Sequence, residues 1–196
     1  PAPAPAPAPA PTQKEYTLTF ATASGVSAEL LAFQPPNYWY ANMIENATDG
    51  RVTIETKVDV FPDYEIAAAI IDGRVDMGRF YNSWVSGTWP LWDFGSLPFL
   101  FESPLTFEKL YTESKVGAII EESFAEVGLV FLADAYEVPG SDSIWSNKPI
   151  RTLEDFKDVK IRTSGIVLST VLEALGASPL TITFMDINSS MLNGTI

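Results

Sequence analysis

Residues 158–176, DVKIRTSGIVLSTVLEALG, restrict the possible folds more than any other part of the chain. Val159 and Ile161 alternate with polar residues, as in a short buried strand, and a polar Thr-Ser-Gly turn follows. Apolar residues at helical spacing then occur at positions 167, 171, 172 and 175, and Gly176 is a typical helix stop. The stretch therefore predicts a strand, a turn and a helix in succession, which is the repeating unit of parallel α/β folds.

Arg162 lies at the carboxyl end of this predicted strand. In open α/β sheets, ligands bind outside the carboxyl ends of the strands, where helix N-termini also direct their N–H groups. A guanidinium group matches a carboxylate or a phosphate with two parallel hydrogen bonds. Arg162 is therefore a candidate anion-binding residue. The alternative is a surface ion pair with an acid such as Asp158, which would contribute little to stability.

The rest of the folded sequence repeats this alternation of strands and helices. Predicted strands lie at residues 16–22, 51–58, 74–78, 128–134 and 178–182, and predicted helices lie at 35–48, 63–72, 105–126 and 184–192. Thr152 and Asp155 form a weak capping box that predicts a short helix before Arg162. This order favours an α/β fold with parallel strands.

Residues 80–101 are rich in aromatic side chains and carry three of the five tryptophans, Trp84, Trp89 and Trp92. Most of these rings are expected to form core. Because Tyr and Trp also carry a polar group, one or two of them are candidates for the wall of a ligand cleft.

The charge of the chain and its lack of two residue types exclude several functions. The sequence has 25 acidic and 12 basic residues, and its formal net charge of −13 argues against nucleic acids and anionic membranes as partners. It contains no Cys and no His, so a Cys nucleophile, a Ser–His pair and a Cys/His zinc site are absent. No apolar run reaches the roughly 20 residues that a membrane-spanning helix needs.

Residues 1–15 begin with almost perfect alternation of Pro and Ala and predict a disordered, semi-rigid linker. Its functional interpretation is a stalk that holds a folded domain away from a membrane or cell wall, and the alternative is a plain disordered tail. The chain begins with Pro1 rather than Met, which suggests a cleaved, lipid-anchored export signal upstream. We therefore expect a periplasmic or extracellular location.

Several stretches, in this order, resemble the substrate-binding proteins of TRAP (tripartite ATP-independent periplasmic) transporters, the DctP-type family. They are TLTFAT, DGRVTIE, IIDGRVDMG, LPFLF, SNKPIRTLEDFKDVKIRT, LEALGASP and residues 184–194. The resemblance extends over almost all of residues 16–196. The most specific part is the PIRTLEDFKDVKIR block with the ALGASP that follows it.

The resemblance implies a two-lobed, periplasmic-binding-protein-like (type II) α/β fold that closes on a ligand. Lobe I would comprise residues 16–126 and lobe II residues 127–196. Members of the family continue well beyond the position of Ile196, so the fold is expected to be incomplete at the C-terminus. The resemblance also implies a soluble receptor that delivers its solute to membrane permease subunits, with no catalytic residues and no cofactor; whether a cation assists binding stays open.

Within this resemblance, Arg162 is expected to clamp the carboxylate of a small organic acid. The other candidate substrate-binding residues are Tyr81 and Trp84 from lobe I, Ser164 from the turn after Arg162, and Phe184 opposite. Many members carry a second arginine before the SNKPI-like stretch, but residues 137–145 of this chain contain none, and Asn188 stands where an aromatic residue often occurs. A monocarboxylate, an oxo- or hydroxy-acid, or a polar zwitterion is therefore expected rather than a dicarboxylate.

Two other functions remain as alternatives. A ligand-binding sensor domain would bind the same class of solute and would differ only in the segments that flank it. An enzyme on the same scaffold would need Asp, Glu, Lys or Tyr as its base or nucleophile. Glu65 and Asp76 could be mistaken for a carboxylate pair, but Glu65 is expected to face solvent and Asp76 to end a tight turn.

Overall fold

Two parallel β-sheets carry the fold in the part of the chain that the structure describes. This structure is a computed structural model, and it describes residues 14–22, 36–101, 103–132, 143–183 and 186–196. The first sheet has the strand order β2-β1-β3, and the second sheet pairs β4 with β5. Both sheets are parallel, as the alternation of strands and helices predicted.

The first sheet is built from β1 (Tyr16–Thr22), β2 (Val52–Val58) and β3 (Met77–Arg79), with α1 (Pro36–Ala47) and α2 (Ile66–Ile71) in the connections. A short 3-10 turn, Asp63–Glu65, leads into α2. The central strand β1 pairs with β2 from Tyr16↔Val52 to Thr22↔Val58. On its other side, β1 pairs with β3 at its carboxyl end, where Thr22 lies opposite Arg79.

The aromatic segment that follows β3 folds into helical turns and forms core. It contains α3 (Asn82–Val85) and a 3-10 segment, Pro90–Ser96. Trp92 is 1% exposed, stacks on Phe124 with ring centroids 4.0 Å apart, and donates its indole N–H to Ser123 Oγ at 2.8 Å. The expectation that most of these rings are core is therefore confirmed for Trp92.

The long helix predicted at residues 105–126 is two helices, α4 (Pro104–Glu113) and α5 (Lys115–Glu126). Ser114 lies between them in an extended conformation, and its hydroxyl accepts a hydrogen bond from the Val116 amide at 3.1 Å. A Cβ at Gly117 would lie 1.9 Å from the carbonyl oxygen of Tyr111, so glycine allows this tight turn. The periodicity is continuous across the break, which is why the sequence alone did not predict it.

The strand predicted at residues 128–134 is wrong for its described part, because residues 129–132 adopt no regular structure and 133–134 lie outside the described residues. The apolar pattern corresponds in part to burial. Leu129 is 7% exposed and packs with Ile120 and Phe124, whereas Val130 is 82% exposed. One face of the segment is thus buried, but no described strand pairs with it.

The second sheet contains the strand–turn–helix unit that the sequence predicted. Its elements are β4 (Lys160–Thr163), α6 (Ile166–Ala174), β5 (Ser178–Thr181) and α7 (Ile187–Leu192). A 3-10 turn, Glu154–Phe156, precedes β4, and Asp155 Oδ2 accepts hydrogen bonds from the amides of Arg151 and Thr152 at 2.8 and 2.9 Å. None of the described helices combines the length and the apolarity that a membrane crossing requires.

Candidate functional site

Arg162 is held at the carboxyl end of β4 by a hydrogen bond from its own side chain. Its Nε donates to the carbonyl oxygen of Ile182 at 2.9 Å, just beyond the end of β5. The residue is half-buried, and no hydrogen bond joins its two terminal amino groups to another described residue. The guanidinium is therefore held at its Nε edge, and its other edge bonds to no described residue.

The expected alternative, an ion pair between Arg162 and Asp158, is not formed. The ion pairs among the described residues are Lys57–Glu55 and Arg74–Asp72, both on the surface of the first half of the chain. Arg162 instead interacts electrostatically with the Asp63 carboxylate. Burial lowers the pKa of Arg162, and Asp63 opposes that change. Arginine is so strongly basic that Arg162 keeps its charge at neutral pH.

Asp63 begins the 3-10 turn between β2 and α2, in the half of the chain that forms the first sheet, and was not selected from the sequence. Burial raises its pKa, the neighbouring Asp59 raises it further, and the positive charge of Arg162 opposes both. The two sheets therefore bring an acid and a base of opposite charge towards one another. Their approach depends on how the two sheets meet, and no local pattern around Asp63 indicates it.

A cavity of about 410 Å³ lies between the elements of the first sheet and β5. It is lined by Tyr64, Ala68, Trp84, Val85, Gly87, Thr88, Trp89 and Thr181. Thr181 is paired with Thr163, the neighbour of Arg162, and Tyr64 is the neighbour of Asp63. Neither Arg162 nor Asp63 lines the cavity, which lies between the two halves of the described chain.

Trp84, a candidate from the sequence, lines this cavity and also packs against the core of the first sheet. Tyr81 contacts Trp84 edge to face, with ring centroids 4.4 Å apart, and its hydroxyl accepts a hydrogen bond from Arg79 Nη2 at 3.2 Å. Ser164 is half-buried in the turn after Arg162. Phe184, the fifth predicted residue, lies outside the described residues.

The N-terminus of α6 is occupied by protein groups, which differs from the expectation that its N–H groups face the ligand. The amide of Ile166 donates to Ser86 Oγ at 3.0 Å. A Cβ at Gly165 would lie 2.4 Å from the carbonyl oxygen of Ser83, so the helix starts in direct contact with α3. The expectation failed because Ser86 is eighty residues away in sequence.

Asp93 completes this junction as a buried acid, 2% exposed. Its Oδ1 accepts a hydrogen bond from the Ser96 hydroxyl at 2.5 Å. Burial raises the pKa of Asp93, while the hydrogen bond from the Ser96 hydroxyl stabilises its charged form and limits the rise. Its other oxygen, Oδ2, is buried and has no hydrogen-bond partner among the described residues.

The two acids that could be mistaken for a catalytic pair do not form one. Asp76 Oδ2 accepts hydrogen bonds from the amide and the hydroxyl of Thr19, both at 2.7 Å, and these bonds lower its pKa. Asp76 thereby connects the start of β3 to β1. Among the described residues, no three His, Cys, Asp or Glu side chains converge on a point where a metal ion could bind.

A larger cavity, about 540 Å³, lies against residues 144–156 and includes the side chains of Ile144, Lys148 and Phe156. It contains neither Arg162 nor any other residue predicted from the sequence to bind substrate. It lies near the start of the second half, before β4 begins, and is therefore separate from the candidate anion site at the carboxyl end of that strand.

The chain is similar in sequence to a known periplasmic binding protein. It is 27% identical over 199 residues to the 2,3-diketo-L-gulonate-binding periplasmic protein YiaO of Escherichia coli (strain K12), an alignment that covers 92% of this chain and 60% of that protein. This relative is a binding protein rather than an enzyme, in agreement with the prediction of no catalytic function. The chain spans about 60% of the relative's length.

Two solved structures show the same fold. A TRAP periplasmic solute-binding protein from Pseudoalteromonas atlantica T6c, with bound sodium and pyruvate, has a TM-score of 0.78 at 22% identity over 93% of this chain and 55% of that one. A second, from Sulfitobacter sp. NAS-14.1 with bound β-D-galacturonate, has a TM-score of 0.76 at 20% identity over 92% of this chain and 60% of that one.

These likenesses confirm the predicted two-lobed α/β fold, of which the chain represents a part. The family model of the bacterial extracellular solute-binding proteins, family 7, matches residues 37–196, which is most of the chain. This match confirms the resemblance that the sequence motifs indicated. The chain therefore belongs to family 7 of the bacterial extracellular solute-binding proteins, the DctP family.

Proposed function

We propose that the protein is the extracytoplasmic solute-binding protein of a TRAP-type transporter, which captures a small organic acid and delivers it to membrane permease subunits. Lobe I would comprise residues 16–126 and lobe II residues 127–196, with the ligand between them. The observation that carries the proposal is the geometry of Arg162, which is fixed at the carboxyl end of β4 by its bond to the Ile182 carbonyl and interacts with Asp63 from the other half of the chain.

The proposed clamp uses the outer edge of the Arg162 guanidinium. Because Nε is already bonded to the Ile182 carbonyl, the two terminal amino groups form the pair that faces a carboxylate. A carboxylate accepts from such a pair with two parallel hydrogen bonds. Each charge-assisted hydrogen bond contributes roughly 1.5–3 kcal/mol, so losing the clamp is expected to abolish measurable binding.

The other candidates supply the rest of the site. Trp84 and Tyr81 would form an aromatic wall, and the Ser164 hydroxyl would donate to the bound acid. Asp63 would accept a hydrogen bond from a ligand hydroxyl, because a half-buried carboxylate near Arg162 needs a donor. Phe184 stays a prediction on the opposite wall.

A single clamp opposed by an acid favours a monocarboxylate with oxo or hydroxyl groups, or a zwitterion, over a dicarboxylate. A second ligand carboxylate would approach Asp63 and Asp59 and be repelled by them. The similar proteins support this class, since 2,3-diketo-L-gulonate, pyruvate and galacturonate are all monocarboxylates with oxo or hydroxyl groups. Malate binding more tightly than lactate would contradict this assignment.

The family description supports a periplasmic or extracellular location. In this proposal, the Pro/Ala segment is the stalk of a lipid-anchored receptor, which keeps the ligand-binding lobes at a distance from the membrane. Partition of the full-length protein into detergent, and its loss after removal of a lipidated N-terminus, would test the anchor separately from the binding function.

The test of the binding function is thermal denaturation of the full-length protein with pyruvate, L-gulonate, D-galacturonate, malate, glucose and alanine. A ligand at one hundred times its dissociation constant stabilises the folded state by about 2.7 kcal/mol, which raises the melting midpoint. We expect an acid to raise the midpoint of the unaltered protein and of Arg151→Met, an exposed control in the same half, but not of Arg162→Met. Shifts with glucose alone, or an equal shift in Arg162→Met, would overturn the proposal.

A further inference from the structure

The strand order of the first sheet creates a crevice at the carboxyl ends of its strands. The chain passes from β1 to β2 on one side and then crosses to β3 on the other side of β1. At the point where the strand order reverses, the helices leave opposite faces of an open α/β sheet, and ligands bind in the crevice outside the carboxyl ends. In this sheet that point lies between β1 and β3.

Thr22 and Arg79 are the register pair at this position, at the carboxyl ends of their strands. Arg79 is half-buried, and its guanidinium lies 4.8 Å from the centre of the Tyr81 ring and bonds to the Tyr81 hydroxyl. Tyr81 in turn packs on Trp84, which lines the cavity between the elements of the first sheet and β5. Side-chain contacts therefore connect Arg79 through Tyr81 to Trp84, which forms part of the cavity wall.

Asp59 lies on the other side of Thr22 at the same edge. Its amide donates to the Thr22 carbonyl oxygen at 3.0 Å, directly after β2. Since neighbouring strands are about 4.8 Å apart, the backbones of Asp59 and Arg79 lie about 10 Å apart across β1, so one acidic and one basic residue occur at this edge. Such an edge combines a hydrogen-bond donor with acceptors, which suits hydroxyl groups because each hydroxyl both donates and accepts.

We infer that Arg79 recognises the end of the ligand that is remote from Arg162, by donating hydrogen bonds to hydroxyl or oxo oxygens of a polyhydroxy acid. This inference rests on the proposed function, in which Arg162 holds the carboxylate. It assigns one guanidinium to each sheet: Arg162 fixes the acid group that all ligands share, and Arg79 selects for the length and hydroxylation of the chain attached to it.

The experiment is isothermal titration calorimetry on the full-length protein with L-gulonate as a long hydroxy acid, pyruvate as a short one, and succinate. Arg79→Met removes the guanidinium and keeps most of the aliphatic chain. Arg51→Met is the control, because Arg51 is exposed and precedes β2 at the opposite, amino-terminal edge of the same sheet.

We expect Arg79→Met to weaken L-gulonate binding about ten- to one-hundred-fold and to change pyruvate binding less than about threefold, with Arg51→Met unchanged for both. Arg79→Lys, which keeps the charge without the planar fork, should lose part of the preference for L-gulonate. It also provides the readout if Arg79→Met folds poorly.

Equal weakening of L-gulonate and pyruvate in the Arg79 variants, or no weakening of either, would overturn the inference. Succinate binding that depends on Arg79 would overturn it too, because Arg79 would then take a second carboxylate. Arg162→Met separates the two proposals: it should lose both acids, and if it does so while Arg79 has no effect, only the inference fails. Binding of none of these acids by the unaltered protein overturns both.

Discussion

The Ser86 hydroxyl accepts a hydrogen bond from the Ile166 amide across 3.0 Å, and this contact connects the two halves of the described chain. Ser86 follows α3, whereas Ile166 is the first residue of α6, the helix after the turn that Arg162 precedes. The first N–H of a helix has no partner within the helix. Ser86 supplies that partner and so fixes the start of α6. It thereby also fixes the turn between α6 and β4, the strand that contains Arg162.

Ser86→Ala should destabilise the protein by about 1–3 kcal/mol, because a partly buried amide loses its acceptor and the Ser83 carbonyl loses a donor. Urea unfolding monitored by circular dichroism measures the change. Ser178→Ala, an exposed serine on β5, is the control and should change stability by less than about 0.5 kcal/mol. Equal effects of the two substitutions would show that Ser86 does not hold the junction.

Gly165→Ala should destabilise the protein and weaken acid binding together. The added Cβ would lie 2.4 Å from the Ser83 carbonyl oxygen and 2.9 Å from Ser86 Oγ, so α6 must move away from α3. Overpacking of this kind costs about 1–3 kcal/mol. Gly87→Ala is the control for stability alone, since a Cβ there meets nothing within 4 Å but Gly87 lines the cavity. Unfolding midpoints of both variants and the pyruvate affinity of Gly165→Ala provide the measurement, and an unaltered Gly165→Ala would contradict the contact.

Trp92→Ala should be among the most destabilising changes in the chain, by about 3–5 kcal/mol, because it removes a fully buried ring and its hydrogen bond to Ser123. Trp145→Ala is the comparison, since Trp145 is 86% exposed and should change stability by less than about 0.5 kcal/mol. Chemical unfolding of both variants tests the difference. A similar loss in the two would mean that the stacked core around Phe124 is not a main source of stability.

The elements that local pattern determines were predictable. The strand, turn and helix around Arg162 match β4 and α6 closely, because alternation, a polar turn and a glycine stop all lie within about twenty residues. The break at Ser114 was not predictable, because it depends on the approach of Tyr111 to Gly117. The strand predicted at 128–134 failed in its described part, because an apolar run indicates burial, whereas a strand also needs a neighbour to pair with.

The candidate site follows from the sequence only where one residue marks a strand end. Arg162 was selected from its position after Val159 and Ile161, and its role stays a prediction. Asp63 and Arg79 were not selected, because their proposed roles depend on the order β2-β1-β3 and on the contact between the halves. Arg79 in particular was placed beyond the predicted end of β3 at residue 78, although it is the last residue of that strand.

Asp93 should make the folded state less stable as the pH rises. Burial raises its pKa above the ordinary value of 3.8, so between that value and the raised one the folded protein holds a proton that the unfolded chain has released. This proton's contribution to the free energy of unfolding is fully present below pH 3.8 and is lost as the pH rises through the folded-state pKa. Asp93→Asn should remove this part of the dependence of the free energy of unfolding on pH.

Urea unfolding of the unaltered protein and of Asp93→Asn, in steps upward from pH 3.8, measures the slope. Asp63→Asn is the necessary comparison, because the pKa of Asp63 is raised as well. Asp76 and Asp155 have lowered pKa values, so they make the folded state more stable as the pH rises, and they do so at lower pH. Identical pH slopes for Asp93→Asn and the unaltered protein would show that Asp93 does not titrate in this window.

Trp84→Leu should weaken the binding of pyruvate and of L-gulonate by similar factors, about three- to tenfold, because the indole forms a wall of the cavity that both ligands share. This result would distinguish the wall from Arg79, whose loss should affect the longer acid alone. Trp145→Leu, an exposed tryptophan away from that cavity, is the control and should leave both affinities unchanged. Calorimetric titration of the full-length variants gives the affinities, and their melting midpoints without ligand report any loss of packing between Trp84 and Tyr81. Unchanged affinities in a well-folded Trp84→Leu would place the acid outside this cavity, and the clamp by Arg162 would then have to face a different part of the cleft.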